Sequence, residues 1–193
     1  MLLRKLTCLT LLLLVCVSLF SQVKTLQAIK TTLTPKIDGV LDDIAWKEGQ
    51  VATDFIQNFP HFGQPASQKT EVRIVYDNDA IYVGAYLYDD PTLVRRQITA
   101  RDEEQSKDLD YFSFFLDTYH DQQNGFQFLV TSSNVQTDAR LSPSVVTELG
   151  VYGVKTWDAV WDSKVAMHKD GWVVEIKIPY ISLRFAKKDV QDW

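Results

Sequence analysis

Strict two-residue alternation constrains this chain most, and it is clearest in TEVRIVYD at 70–77 and the AIYVGAYLYDD that follows. In the first run Val72, Ile74 and Tyr76 share one face of an extended chain, with Glu71, Arg73 and Val75 on the other. In the second, Ile81, Val83, Ala85 and Leu87 lie opposite Tyr82, Tyr86 and Tyr88. A period of two segregates apolar side chains only when the backbone is a strand. Asp77, Asn78 and Asp79 between the runs are turn formers, so the stretch predicts an antiparallel hairpin.

The same reasoning extends along the chain. DYFSFFLD (110–117) and GFQFLVTS (125–132), joined by the polar TYHDQQN, predict a second hairpin, and VQTDARL (135–141) a further short strand. Residues 142–156 form a long loop. Residues 159–179 hold two strands around a KDG turn, the second aligning Trp172, Val174, Ile176 and Ile178 against Val173, Glu175 and Lys177. Helical candidates are short: DDIAWKEG (42–49), PTLVRRQITARD (91–102) and PYISLRF (179–185). In KIDGVLDDIAW (36–46) a DG turn leads to a short helix with Asp42 or Asp43 at its start and Trp46 folded inward. Six or more strands with short connections, and no regular intervening helices, make the fold class all-β, an antiparallel β-sandwich with a few short helices.

The start of the chain belongs to a different category. MLLRK followed by LTCLTLLLLVCVSLF has the basic start, apolar run and small residue of a secretory signal peptide, assigned to residues 1–21, and the run is shorter than the roughly 20 residues of a spanning helix. Both cysteines lie there, so residues 22–193 carry no disulfide although export leads to an oxidising compartment. The expected location is the periplasm, the outer membrane or the extracellular space. A 46% hydrophobic composition supplies a core, and the net charge of -5 argues against nucleic acid as a partner.

Asp108, Asp110, Asp117, Asp158 and Asp162 supply carboxylates for a glycosidase, but their spacing places no pair across a sugar, and most sit at strand ends or turns. His61, His120 and His168 show no zinc spacing. A structural calcium is the metal candidate, with Asp77 and Asp79 in DND, or Asp89 and Asp90, contributing oxygen donors beside backbone carbonyls. Aromatic rings that can stack on a pyranose are the remaining chemistry. Trp172 and Trp46 read as core. Trp157 and Trp161, four apart in TWDAVWD, and the stripe Tyr82, Tyr86 and Tyr88 are the candidate carbohydrate-binding residues.

The ordered series IDGVLDDIAW, VRIVYDNDAIYVGAYLYDDP, DLDYFSFFLD, WDAVW and DGWVVEIKIPYISLRF resembles the family 9 carbohydrate-binding module over about residues 30–186. It looks closest to the version at the N-terminus of large secreted or outer-membrane proteins of Bacteroidetes type, which carry a C-terminal domain of unknown function. The resemblance implies an immunoglobulin-like, jelly-roll-like sandwich that binds xylan- or cellulose-like chains beside glycoside hydrolases in polysaccharide catabolism, without a catalytic role of its own. In sugar-binding members two tryptophans clamp the ligand. Here the residues before Asp110 are QSKDL, without tryptophan, and the sequence ends at Trp193 before the second position. The expectation is therefore a module truncated at its C-terminal end, with an exposed sheet edge. The alternative is a structural or interaction domain packed on a downstream outer-membrane barrel, without sugar binding. Related sandwiches bind haem through Met, Lys or His, for which Met167 is the one methionine after the signal segment.

Overall fold

A computed structural model describes residues 24–103, 108–143 and 153–193. The proposed signal segment and most of the 142–156 loop lie outside these residues. The strands are β1 (Ile29–Lys30), β2 (Val51–Ala52), β3 (Thr70–Tyr76), β4 (Ala80–Tyr88), β5 (Tyr111–Leu116), β6 (Gly125–Thr131), β7 (Gln136–Leu141), β8 (Asp162–His168) and β9 (Gly171–Pro179). One sheet runs β1-β3-β4-β9-β8, with β2 also on β3, and the other runs β5-β6-β7. All pairs are antiparallel except β1 with β3.

Cross-strand register makes the alternation into a core. Val72↔Ala85, Ile74↔Val83 and Tyr76↔Ile81 pair between β3 and β4, and Ile81↔Ile178, Val83↔Ile176, Ala85↔Val174 and Leu87↔Trp172 between β4 and β9. The smaller sheet sets Phe112↔Val130, Phe114↔Phe128 and Leu116↔Phe126 against them. These side chains form one apolar cluster between the sheets. Fully burying a large apolar side chain of this kind stabilises by roughly 1.5–3 kcal/mol. The chain is the all-β sandwich that its alternation predicts.

The outer face of the larger sheet carries a second cluster: Ala45, Trp46, Val75, Ala80 and Tyr82, with Ile37 and Leu41 against it. It is built by the 36–46 corner and the helix α1 (Ile44–Glu48). Gly39, at φ +91°, makes the corner's turn, and Gly84 leaves room for Leu41 and Trp46 to seat on β4. Asp43 occupies the cap position, but its side chain makes no cap bond. Its Oδ2 instead accepts from the Lys36 amide at 2.9 Å and closes the corner on itself.

Two helical expectations are corrected. Residues 91–102 form no helix. Val94 is drawn into the sandwich core, the Arg95 amide donates to Asp110 Oδ2 at 2.9 Å, and Arg96 bridges Leu109, so the middle of the segment lies beside the residues that lead into β5. PYISLRF contributes only a 3-10 turn at Tyr180–Ser182. Leu183 is extended and buried, so the chain returns to the core after one turn.

Candidate functional site

An open cleft of about 1020 Å³ lies at one end of the sandwich. Sites for small molecules occupy roughly 300–1,000 Å³. One wall is the start of β6 with the end of β7, from Gly125, Phe126, Arg140 and Leu141; another is the segment Trp157–Val160. The β5–β6 loop adds Tyr119, Asp121 and Asn124, and the chain after β9 adds Ile181, Ser182 and Arg184.

Trp157 is half-buried and rests on the core: its ring centroid lies 4.8 Å from that of Phe126, tilted 39°, and 6.0 Å from Phe128, nearly edge-on. The segment that carries it is pinned by Asp138, which is 1% exposed. Asp138 accepts the Ala159 amide at 2.7 Å, the Trp161 indole N–H at 3.1 Å and the guanidinium of Arg101. Arg101 also bonds Asp158 at 2.9 Å and the Ala159 carbonyl at 3.2 Å. A buried carboxylate with one cation and two N–H donors is satisfied, so Asp138 acts as a fixed peg for the wall.

On the rim, the Ser182 hydroxyl donates to the Val160 carbonyl at 2.8 Å and ties two walls together. Val160 and Ile181 beside it are more than four-fifths exposed. Hydrogen bonds from Asn124 and Gln123 hold the Asp121 carboxyl below the usual carboxylate range, the Asn124 side chain foremost. The arrangement offers an aromatic ring and exposed apolar groups for the C–H face of a ligand, with guanidinium, carboxylate, amide and hydroxyl groups for its polar edge.

The five aromatic candidates do not converge. Trp157 alone lines this cleft. Trp161 is 5% exposed, packed edge-on to Phe128 at 5.2 Å, and Tyr82 is 1% exposed with its hydroxyl on Asp77 at 2.8 Å. Tyr86 and Tyr88 stack on each other at 4.4 Å on the outer face of the larger sheet. The Tyr86 hydroxyl donates to Asp170, and Lys69 Nζ sits 4.8 Å over the Tyr88 ring. Tyr86 borders a separate groove of about 560 Å³ with Leu41, Trp46 and His168.

The four acidic candidates for calcium do not converge either. Asp77 and Asp79 lie at one end of β4 and Asp89 and Asp90 at the other, roughly 30 Å apart at about 3.3 Å per residue. Asp77 Oδ1 accepts the Asp79 and Ala80 amides at 2.8 and 2.9 Å, and Asp90 Oδ1 accepts the Thr92 amide at 2.9 Å and its hydroxyl at 2.7 Å. Their oxygens shape turns, and no group of three or more His, Cys, Asp or Glu side chains converges among the described residues. These acids do not fit one shared ion.

Sequence reasoning missed Asp138, Arg101, Arg140 and Arg184. A signal existed for the first: Asp138 pairs with Phe128 across β6 and β7 and so points inward, where an unpaired carboxylate could not stay.

The family model described as carbohydrate family 9 binding domain-like matches residues 37–191. No curated protein matches the chain. Among solved structures, the fold is similar to a family 9 carbohydrate-binding module from Caldicellulosiruptor kristjanssonii in complex with cellotriose, at TM-score 0.53 and 20% identity over 85% of this chain and 70% of that one. The complex of that module with glucose gives TM-score 0.53 and 20% identity, over 85% of this chain and 72% of the other. A proposed carbohydrate-binding protein from Bacteroides uniformis matches at TM-score 0.55 and 13% identity, over 80% and 72% of the two chains. At these identities the likeness is one of fold.

Proposed function

The chain belongs to the carbohydrate family 9 binding domain-like family, and from that premise we propose that it is an exported, non-catalytic module that holds a short stretch of glycan in the cleft walled by Trp157. The observation that carries the reading is the cleft itself, where a half-buried indole is fixed on Phe126 and polar side chains from three other segments line the space. A pyranose stacks its apolar face on such a ring and turns its hydroxyls to the polar rim. The cellotriose complex of a protein with the same fold supports a β-linked glucan or xylan chain as the ligand class. Such a module serves a larger polysaccharide-processing protein by keeping it on its substrate.

A second reading is a docking domain for other parts of a longer polypeptide. It draws on Phe59 and Phe62, 85% and 80% exposed in the loop between β2 and β3. Titration calorimetry of the chain with cellotriose, xylotriose and glucose separates the two. Saturable heat with at least one sugar, lost in Trp157→Ala, supports the first reading, and no binding by the folded chain to any of them removes it.

A further inference from the structure

We infer that the cleft selects a glycan carrying an isolated carboxylate, such as a uronic acid substituent on an otherwise neutral chain. The inference rests on the carbohydrate-binding reading and deepens it.

Four charged side chains line the cleft: Arg140, Arg184, Asp121 and Asp158. The two acids are engaged. Asp158 pairs with Arg101 at 2.9 Å. Asp121 accepts the Gln123 amide at 2.9 Å, the Asn124 amide at 2.7 Å and the Asn124 side-chain N–H at 2.7 Å, all within its own loop. Among the described residues the two cations form no ion pair. Among the described residues Arg184 donates only to backbone carbonyls, of Leu183 at 3.2 Å and Ile181 at 3.5 Å.

Register places one of these guanidiniums with the stacking ring. Arg140 pairs with Phe126 across β6 and β7, so its side chain leaves the sheet on the face that supports Trp157. A guanidinium is a planar fork of donors whose geometry matches a carboxylate through two parallel hydrogen bonds, which are shorter and about twice as strong as neutral ones. Sugar hydroxyls use only part of that capacity. The chain's net charge of -5 sets a limit on the ligand. A polyanion is repelled by the molecule as a whole, whereas a single carboxylate meets only the local field of the cleft.

The test is titration calorimetry of the whole chain at low salt with three probes: a neutral xylo-oligosaccharide, the same oligosaccharide bearing one glucuronic acid, and polygalacturonate. The acid-bearing oligosaccharide is expected to bind at least about tenfold more tightly than the neutral one, a difference of about 1.4 kcal/mol. That ratio should fall toward one in about 0.5 M NaCl, where charges are screened within a few ångströms. It should also fall toward one in the double variant Arg140→Gln/Arg184→Gln. If the neutral probe binds and the acid-bearing one binds no better, the inference fails and the carbohydrate reading stands. If neither oligosaccharide binds to the folded chain, both fail. Tightest binding to polygalacturonate, or a ratio unchanged in the double variant, overturns the assignment of a single carboxylate to these two arginines.

Discussion

Glu175 Oε1 accepts the indole N–H of Trp46 at 2.8 Å, between two side chains that are 0% and 1% exposed and 129 residues apart in sequence. The other oxygen, Oε2, accepts the Asp38 amide at 2.8 Å and the Gly39 amide at 2.6 Å. One carboxylate on β9 thus clamps both ends of the 36–46 corner, and this is what the DG turn and the tryptophan of that stretch are for. In Glu175→Gln the amide has a single acceptor oxygen. Whichever way it is turned, its NH₂ faces at least one of the donors. The expected loss is about 2–4 kcal/mol, read as a lowered midpoint of denaturant unfolding. Trp46→Phe, which strips the donor and leaves the carboxylate, should lose about 1–3 kcal/mol, and the double variant less than the sum of the two.

Gly84 lies under the same corner. A Cβ added there stands 2.6 Å from Leu41 Cδ2 and 3.2 Å from the Trp46 ring. The leucine tip can swing aside and the buried indole cannot. Gly84→Ala is therefore expected to lose about 1 kcal/mol and Gly84→Val about 2–3 kcal/mol. Leu41→Ala should recover part of the alanine variant's loss and little of the valine's. Equal recovery in both would contradict the idea that the ring is the hard stop.

Opposite pH slopes follow from two acids. Burial pushes the Glu175 carboxyl above its ordinary 4.5, against the three N–H donors that favour its charged form. A group raised in the folded state contributes stability that is full below its unfolded pKa and is lost as pH rises through the folded one. Burial also pushes Asp77 up, but the Asp79 and Ala80 amides and the Tyr82 and Thr34 hydroxyls outweigh it and hold the carboxyl below 3.8. Its contribution is present above that value and is lost as pH falls through its folded pKa. Chemical denaturation at several pH values between about 3 and 7 should show the gap between the wild type and Asp77→Asn closing on acidification. The titrating part of the gap between the wild type and Glu175→Gln should instead shrink as pH rises. A gap of constant size for Asp77→Asn would mean that its turn bonds do not depend on ionisation.

Local pattern made the β3–β4 and β8–β9 hairpins legible, because β3, β4 and β9 alternate for seven or more residues and each hairpin turns on a short polar stretch. Elsewhere local pattern had less to offer. β1 and β2 are two residues long and carry no period of their own. Residues 91–102 read as a short helical candidate, yet of Leu93, Val94 and Ile98 only Val94 is buried, and it is buried by long-range packing. The pattern around residue 46 turns Trp46 inward, as the structure has it, but does not reveal its partner, since nothing near residue 46 points to residue 175. The cleft was hidden for the same reason. Phe126, Arg140, Trp157 and Arg184 come from four segments that only the closing of the two sheets brings together.

Trp157 and Trp161, indistinguishable in TWDAVWD, should separate cleanly by experiment. The Trp161 ring is packed on Phe128 and its N–H is bound to Asp138, so Trp161→Ala removes core and leaves a buried acceptor short of a donor. The expected loss is about 3–5 kcal/mol of stability. Trp157 keeps one side in the cleft, and Trp157→Ala should lose less stability but weaken sugar binding by at least about tenfold, as truncation of an aromatic anchor does. Asp138→Asn tests the peg between them. Replacing the carboxylate withdraws charge-assisted bonds from Arg101, the Ala159 amide and the Trp161 indole, at about 1.5–3 kcal/mol for a bond to a charged group. Because Asp138 touches the wall from behind, its loss should weaken binding through a loosened Trp157, seen as a smaller change in tryptophan fluorescence when saturating cellotriose is added. The measurements are calorimetric affinity and thermal unfolding on the same samples. If Trp161→Ala lost affinity with its stability intact while Trp157→Ala bound normally, the two rings would have been assigned the wrong way round and the cleft would not be the binding site.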